Sequence, residues 1–178
     1  MMPLKRMISV AIGRAENRLG VALDYTRKIA ETDLGLLMRY NKIFGFLDAN
    51  RKVPPLAYHA ARLRGAIASD CGTCIAAEIN LAKAAKIQSE LIDQIISGSY
   101  AEFPKEIAAA AILADQVVGL RQDAPEHRET IRQHFGDAGL IELSFAMNGA
   151  ALLPGIKRAM GYAVACDMEI VRKLVKAP

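Results

Sequence analysis

The chain has no tryptophan, and aromatic residues make up only 6% of its 178 residues. Strands draw heavily on aromatic and β-branched residues, and runs of these residues are scarce here. Alanine, the strongest helix former, is abundant instead. The composition therefore favours helices over strands.

Strong charge, long apolar runs and a rich supply of cysteine are also missing. The net charge is +4, and the scattered basic residues do not form the patch typical of nucleic-acid binding. No run reaches the roughly 18 apolar residues of a membrane-spanning helix, and Arg14, Glu16 and Arg18 interrupt any signal peptide. Three cysteines do not make a secreted disulfide framework. We expect a cytoplasmic protein with neither nucleic acid nor membrane as a partner.

Apolar residues recur three and four positions apart along most of the chain, which is the period of amphipathic helices. The length suits a single domain over residues 1–178. We predict an all-α fold whose first helix covers residues 14–31 and whose second is capped by Thr32 or Asp33. Pro54 and Pro55 predict the start of a third helix.

Asp70 is the predicted N-cap of a fourth helix that continues to about residue 86. The same signals predict further helices over residues 89–97, 103–120, 125–135, 137–153 and, after a break at Pro154–Gly155, up to about residue 175.

The most informative motif is Cys71-Gly72-Thr73-Cys74, followed one turn later by Glu78. Positions three and four apart share a helix face, so Cys71, Cys74 and Glu78 line one stripe. A helix start favours negative charge and therefore the reactive thiolate. A second cysteine one turn further on can close a disulfide with the first, and a carboxylate can accept or relay a proton. The motif predicts dithiol–disulfide chemistry.

An ionised Glu78 close to the thiols opposes their ionisation, so the site needs a positive or proton-donating partner. His59 is the candidate, because it lies on the preceding helix and imidazole titrates near neutral pH. If the two helices pack antiparallel, His59 can face Glu78 and the thiols. The predicted catalytic residues are therefore Cys71, Cys74, His59 and Glu78, with no metal and no organic cofactor.

Other interpretations of these residues stay open. The two cysteines can be small buried residues, Glu78 a solvated helix residue, and His59 an ordinary histidine. The CxxC can also be half of a zinc site, whose remaining ligands would have to come from His59, His127, His134 and Cys166. The spacing of those four residues shows no pairing, and Cys166 is best explained as core packing.

Several segments together resemble the AhpD-like, carboxymuconolactone decarboxylase superfamily. They are the CxxC helix, the helices at 89–92 and 103–120, and the stretch Phe135–Leu143, which is similar to that family's Phe-Ser/Thr-Asp…Glu-Leu element. On this resemblance residues 54–160 are the AhpD-like core, and residues 1–53 are an N-terminal helical extension.

The resemblance implies an all-α bundle that assembles into homotrimers or homohexamers. It also implies a thiol-dependent peroxidase, oxidised by a hydroperoxide and restored by a dithiol reductant of lipoyl or thioredoxin type. By the same analogy Cys74 reacts with peroxide and Cys71 resolves the product.

One departure from the family is visible, since the resemblance places a histidine at position 78 and a glutamate at position 59. We hypothesise that a carboxylate–imidazole relay is kept with its ends exchanged between His59 and Glu78. Two rival functions stay open: a general disulfide reductase or redox sensor, and a non-enzymatic oligomeric helical protein.

Overall fold

The computed structural model describes residues 2–47, 52–163 and 167–176, and every regular element in these ranges is helical. The all-α prediction is therefore confirmed for the described part of the chain. The α-helices are α1 (Met2–Leu19), α2 (Asp24–Thr32), α3 (Leu34–Asn41), α4 (Pro55–Ala68), α5 (Gly72–Ala84), α6 (Ser89–Ser97), α7 (Lys105–Ala114), α8 (Pro125–Ala159) and α9 (Met168–Lys176). A 3₁₀ helix (Lys42–Leu47) follows α3, and a π-helical segment (Asp115–Leu120) follows α7.

Helix α4 lies at the centre of the fold. It packs against α5, α6, α7 and α8. The closest approach is at Gly65, where a Cβ atom would stand 2.2 Å from the carbonyl oxygen of Met147 on α8. Only glycine allows the two backbones to approach this closely. Apolar side chains fill both sides of α4, with Leu63 and Ile75 on one side and Leu143 among those on the other.

Helices α1, α2 and α3 form a separate apolar cluster, and α1 packs against α5. The cluster is centred on Ile12, Leu23, Tyr25, Leu37 and Tyr40, all of which are buried. The cluster of α1, α2 and α3 therefore covers the helix that carries the CxxC motif through the contact of α1 with α5.

Some predicted helix boundaries are wrong. The helix expected over residues 14–31 is two helices, because the chain turns at Gly20 with φ of 65°, a conformation that suits glycine. The predicted cap at Asp33 is confirmed, since its carboxylate accepts a hydrogen bond of 2.8 Å from the amide of Leu36. Helix α8 continues through Pro154, where we predicted a break, although its backbone is interrupted at Gly136. Pro154 is buried, so packing of α8 in the core outweighs the lost backbone hydrogen bond.

Helix α8 is long and apolar enough, by length and composition, to cross a membrane. Within the protein 44% of its most apolar window is buried, because the helix packs along α4 and α7. The core helix of a soluble protein passes the same test.

Candidate functional site: a thiol pair beside a buried lysine

The turn between α4 and α5 places the first cysteine. Asp70 is left-handed with φ of 46°, a conformation that Asp tolerates better than most residues. Its carbonyl accepts a hydrogen bond of 2.6 Å from Arg158. Cys71 is extended and is the N-cap of α5, and its carbonyl accepts from the amides of Cys74 and Ile75 at 3.0 Å each. The predicted cap at Asp70 is therefore wrong by one residue, because Asp70 is used to reverse the chain.

The structure brings the two thiols together without a disulfide. The sulfur of Cys71 lies 3.6 Å from the hydroxyl oxygen of Thr73, and the two cysteines are close enough for each to shift the pKa of the other. Cys71 is 0% exposed, whereas Cys74 is partly exposed and lines a cavity. The two sulfurs therefore differ in their access to any substrate.

The surroundings of the two thiols also shift their pKa values in opposite directions. The hydrogen bond from Cys74 lowers the pKa of Cys71 to about 5, against the opposing effect of burial, and the Thr73 hydroxyl and the Lys157 ammonium act in the same lowering direction. Donation to Cys71, together with burial, raises the pKa of Cys74 well above its ordinary value, although Lys157 opposes this shift. The pair therefore loses its first proton more easily than an ordinary cysteine does, and the surroundings favour negative charge on Cys71.

Lys157 on α8 was not expected from the sequence. It is 5% exposed, its Nζ donates to the Thr73 hydroxyl, and the same atom lies 5.2 Å from the ring centroid of Tyr25. No carboxylate in residues 2–47, 52–163 or 167–176 forms an ion pair with it. A buried ammonium without an anionic partner is unfavourable, and the thiol pair can supply that partner by ionising. Lys157 and Thr73 are 84 residues apart, so no local signal could have found this contact.

Glu78 lines the same cavity as Cys74 and is 5% exposed. Both of its carboxylate oxygens accept hydrogen bonds of 2.7 Å from Arg62, one from Nε and one from Nη2. Arg62 is also buried and donates to the carbonyl of Leu47 and the hydroxyl of Tyr58. The charge of Glu78 is therefore balanced by an arginine that sequence reasoning missed.

His59 occupies a different environment. It is buried but does not line the cavity that contains Cys74, and its ring packs edge-on against Tyr58 at 5.4 Å. Its Nδ1 atom has no hydrogen-bond partner among the described residues. Burial, and then the charge of Arg62, lower the pKa of His59 to about 4, so the ring is neutral at physiological pH. No hydrogen bond or ion pair joins His59 to Glu78 within the described ranges, and the expected imidazole–carboxylate contact is replaced by the one with Arg62.

The cavity beside Cys74 has a volume of about 480 Å³. Most of its wall is apolar. The larger part comes from α1, α2, the turn between them, α3 and the 3₁₀ helix, and the remainder comes from α4, α5 and α8. At one wall the hydroxyls of Tyr25 and Tyr40 share a hydrogen bond of 2.5 Å. The polar side chains at the α4, α5 and α8 wall are those of Arg62, Thr73, Cys74, Glu78 and Lys157. The accessible thiol therefore lies among polar side chains of a cavity whose wall is mostly apolar.

In the described part of the chain no group of three or more His, Cys, Asp or Glu side chains could hold a metal ion. The zinc interpretation therefore has no set of ligands there. His134 instead hydrogen-bonds through Nδ1 to the carbonyl of Thr130 at 2.8 Å. Cys166 lies outside the described residues.

No family model, curated protein or solved structure matches the chain. The AhpD-like resemblance therefore rests on the sequence pattern alone.

Proposed function

We propose that this protein is a dithiol oxidoreductase that cycles Cys71 and Cys74 between thiols and a disulfide, acting as a thiol-dependent peroxidase of AhpD-like type. The observation that carries the proposal is a pair of neighbouring free thiols beside the buried ammonium of Lys157, with one of the two sulfurs facing a cavity. The lowered pKa of Cys71 keeps the pair singly ionised at neutral pH.

Cys74 is the attacking sulfur in this mechanism, because Cys71 is fully buried and does not line the cavity. Because the surroundings favour negative charge on Cys71, attack requires that the proton of Cys74 be transferred to Cys71. Lys157 lowers the pKa of both cysteines, and its charge therefore stabilises the anion on either sulfur.

The proposed oxidation has two balanced steps. The Cys74 thiolate attacks the terminal oxygen of a hydroperoxide, the O–O bond breaks, and the alkoxide takes the proton from the Cys71 thiol to leave as an alcohol. The Cys71 thiolate then attacks the sulfur of the Cys74 sulfenic acid and forms the disulfide. The hydroxide that leaves combines with the proton released when the pair first ionised.

An external dithiol of lipoyl or thioredoxin type completes the cycle in this proposal. Its thiolate attacks the disulfide, and its second thiol releases the reduced Cys71–Cys74 pair while its own disulfide forms. The partner class, and assembly into homotrimers or homohexamers, come from the AhpD-like resemblance. Light scattering of the purified protein tests the assembly directly.

The test of the proposed function is stoichiometric oxidation in a Cys166→Ser background, which leaves only the two motif cysteines. One equivalent of an organic hydroperoxide should remove both free thiols and lower the mass by two hydrogens. Cys71→Ser should stop at a sulfenic acid that dimedone traps on Cys74, because no resolving thiol is left. Cys74→Ser should consume peroxide far more slowly than the protein with both motif cysteines, because it lacks the attacking sulfur.

The rivals give different results in the same assay. Thiols that resist peroxide but are oxidised by a small disulfide indicate a disulfide reductase or redox sensor. Thiols that resist both reagents in the folded protein indicate a non-enzymatic helical protein. Peroxide consumption that is equally fast in Cys74→Ser contradicts the proposed attack.

A further inference from the structure

The cavity is far larger than a hydroperoxide group needs. Its volume of about 480 Å³ lies in the range of sites that enclose whole organic ligands. Its apolar wall includes Ile8, Ile12 and Leu37 from the N-terminal helices, and Leu81 and Leu153 from α5 and α8. This wall can bury the apolar body of a ligand, and the hydrophobic effect would favour such burial.

The cavity also contains a built cation site. Three basic residues line it, namely Arg18, Arg62 and Lys157. Arg18 is exposed, and Arg62 already donates hydrogen bonds to both carboxylate oxygens of Glu78. Lys157 is 5% exposed, and in the described part of the chain its Nζ contacts a hydroxyl and an aromatic ring but no carboxylate. One buried ammonium without a carboxylate partner therefore lines a mostly apolar cavity.

We propose that this cavity binds an amphiphilic carboxylate of the fatty-acid class, with its head group on Lys157 and its chain between the N-terminal helices and α5. A carboxylate gives the buried ammonium the charge-assisted hydrogen bond that it lacks. The chain displaces water from the apolar wall, and the carboxylate matches the one buried positive charge of the cavity that has no carboxylate partner in the described part of the chain.

The binding site and the thiol pair share Lys157, so the two are coupled. A carboxylate on Lys157 competes with the thiolate for the same positive charge, and bound ligand also covers Cys74. Oxidation to the disulfide removes the thiolate and frees Lys157 for the ligand. By reciprocity, bound carboxylate favours the forms of the protein without a thiolate. This coupling rests on the proposed dithiol function, whereas binding itself does not.

Binding can therefore be measured without any thiol chemistry, in the Cys71→Ser/Cys74→Ser double variant. The probe is the fluorescent polyene fatty acid parinaric acid, used below its micelle concentration, and its uncharged match is parinaric acid methyl ester. The acid should saturate one site per chain and bind roughly tenfold more tightly than the ester, since hydrogen bonds to charged groups exceed neutral ones. Reduced wild-type protein at pH 8 should bind the acid about fivefold or more weakly than the double variant.

Variants of the cavity locate the ligand. Lys157→Met should bind acid and ester equally, while Lys105→Met, which changes an exposed lysine on α7, should keep the preference for the acid. Ala11→Phe and Ala15→Phe add a ring to the cavity wall and should weaken both probes. Ala101→Phe adds the same ring to an exposed turn outside the cavity and should change neither affinity. Circular dichroism of each variant confirms that it is folded.

The proposal is overturned if the double variant binds no probe saturably, or if acid and ester bind it equally. It is also overturned if folded Ala11→Phe and Ala15→Phe both bind the acid as tightly as the parent. Equal affinity of the acid for reduced wild type and the double variant removes the coupling only. Because the double variant cannot form a disulfide, failure of peroxidase activity leaves the binding result unaffected.

Discussion

Two buried cations face the same cavity and have opposite surroundings. Arg62 holds a carboxylate through two hydrogen bonds of 2.7 Å and donates two more to a carbonyl and a phenol. Lys157 contacts a hydroxyl and a tyrosine ring, with no carboxylate partner in the part of the chain that the structure describes. The first charge is balanced within the fold, and the second is available to an anion that forms or arrives.

The difference separates a structural charge from a chemically useful one. The Glu78 carboxylate offsets the charge of Arg62, whereas a fixed charge without an anionic partner in a buried site stabilises negative charge as it develops. The thiol pair lies beside Lys157, which lowers the pKa of both cysteines. This contrast predicts that loss of Arg62 damages the fold, while loss of Lys157 damages the chemistry.

The largest expected effect is on stability in Arg62→Met, which leaves the Glu78 carboxylate buried without its partner. Removing one member of a buried ion pair costs about 3–5 kcal/mol, and urea denaturation would measure the loss of unfolding free energy. Arg62→Met/Glu78→Met should recover much of it, because no uncompensated charge is left. A single variant as stable as the double variant would contradict the structural role of this pair.

Lys157→Met should show the opposite behaviour. Its unfolding free energy should fall much less than that of Arg62→Met, because its removal strands no carboxylate. The ultraviolet absorbance of the thiolate should titrate near pH 5 in wild type and about 1 to 3 units higher in the variant, as expected on losing a nearby opposite charge. Lys157→Arg should keep a low midpoint and Lys105→Met should leave it unchanged. An unshifted midpoint in Lys157→Met would show that the ammonium does not act on the thiols.

The pH dependence of stability is a finer test of the same charge. The pKa of Cys71 is about 5 in the folded protein against an ordinary 9, so between these values the unfolded chain binds more protons. The unfolding free energy of the reduced protein should therefore rise as the pH is raised from 5 to 9. This gain should be lost when the pH is lowered again towards 5. His59, lowered to about 4 from 6.5, adds a rise of the same sign at the acidic end.

Urea denaturation of reduced wild type and of Cys71→Ser/Cys74→Ser isolates the thiols between pH 6.5 and 9, above the range of His59. The wild type should gain stability across this window, and the double variant should be nearly flat. Parallel slopes in the two proteins would mean that the thiol pair does not ionise early in the folded state.

The smallest expected effect is that of His59→Gln on peroxide reactivity. The exchanged-relay hypothesis predicts that replacement of either His59 or Glu78 slows oxidation of the thiols. Because His59 lies outside the cavity and makes no contact with Glu78 that the described structure records, we expect its replacement to leave the rate of Cys74 oxidation nearly unchanged. Stopped-flow measurement with an organic hydroperoxide decides between the relay hypothesis and this expectation. A marked slowing of Cys74 oxidation in His59→Gln would favour the relay.

Local patterns in the chain account for much of the fold. The three-and-four spacing of apolar residues predicts helices, and caps such as Asp33 are read from one or two neighbouring residues. The same patterns misplace the cap of α5 and predict a break at Pro154. In both places tertiary packing outweighs local preference, since the chain must reverse tightly at Asp70 and α8 must continue along the core.

The CxxC spacing alone predicts that the two cysteines lie close together at a helix start, because helix geometry is local and periodic. In the structure Cys71 is the extended N-cap of α5 and Cys74 lies in its first turn. The charges around those sulfurs depend on contacts across the chain: Lys157 reaches Thr73 from 84 residues away, and Arg62 rather than His59 meets Glu78. The apolar cavity depends on the N-terminal helices closing over α5. Periodicity within a helix specifies which residues share a face, whereas the packing of helices specifies which charges those residues meet.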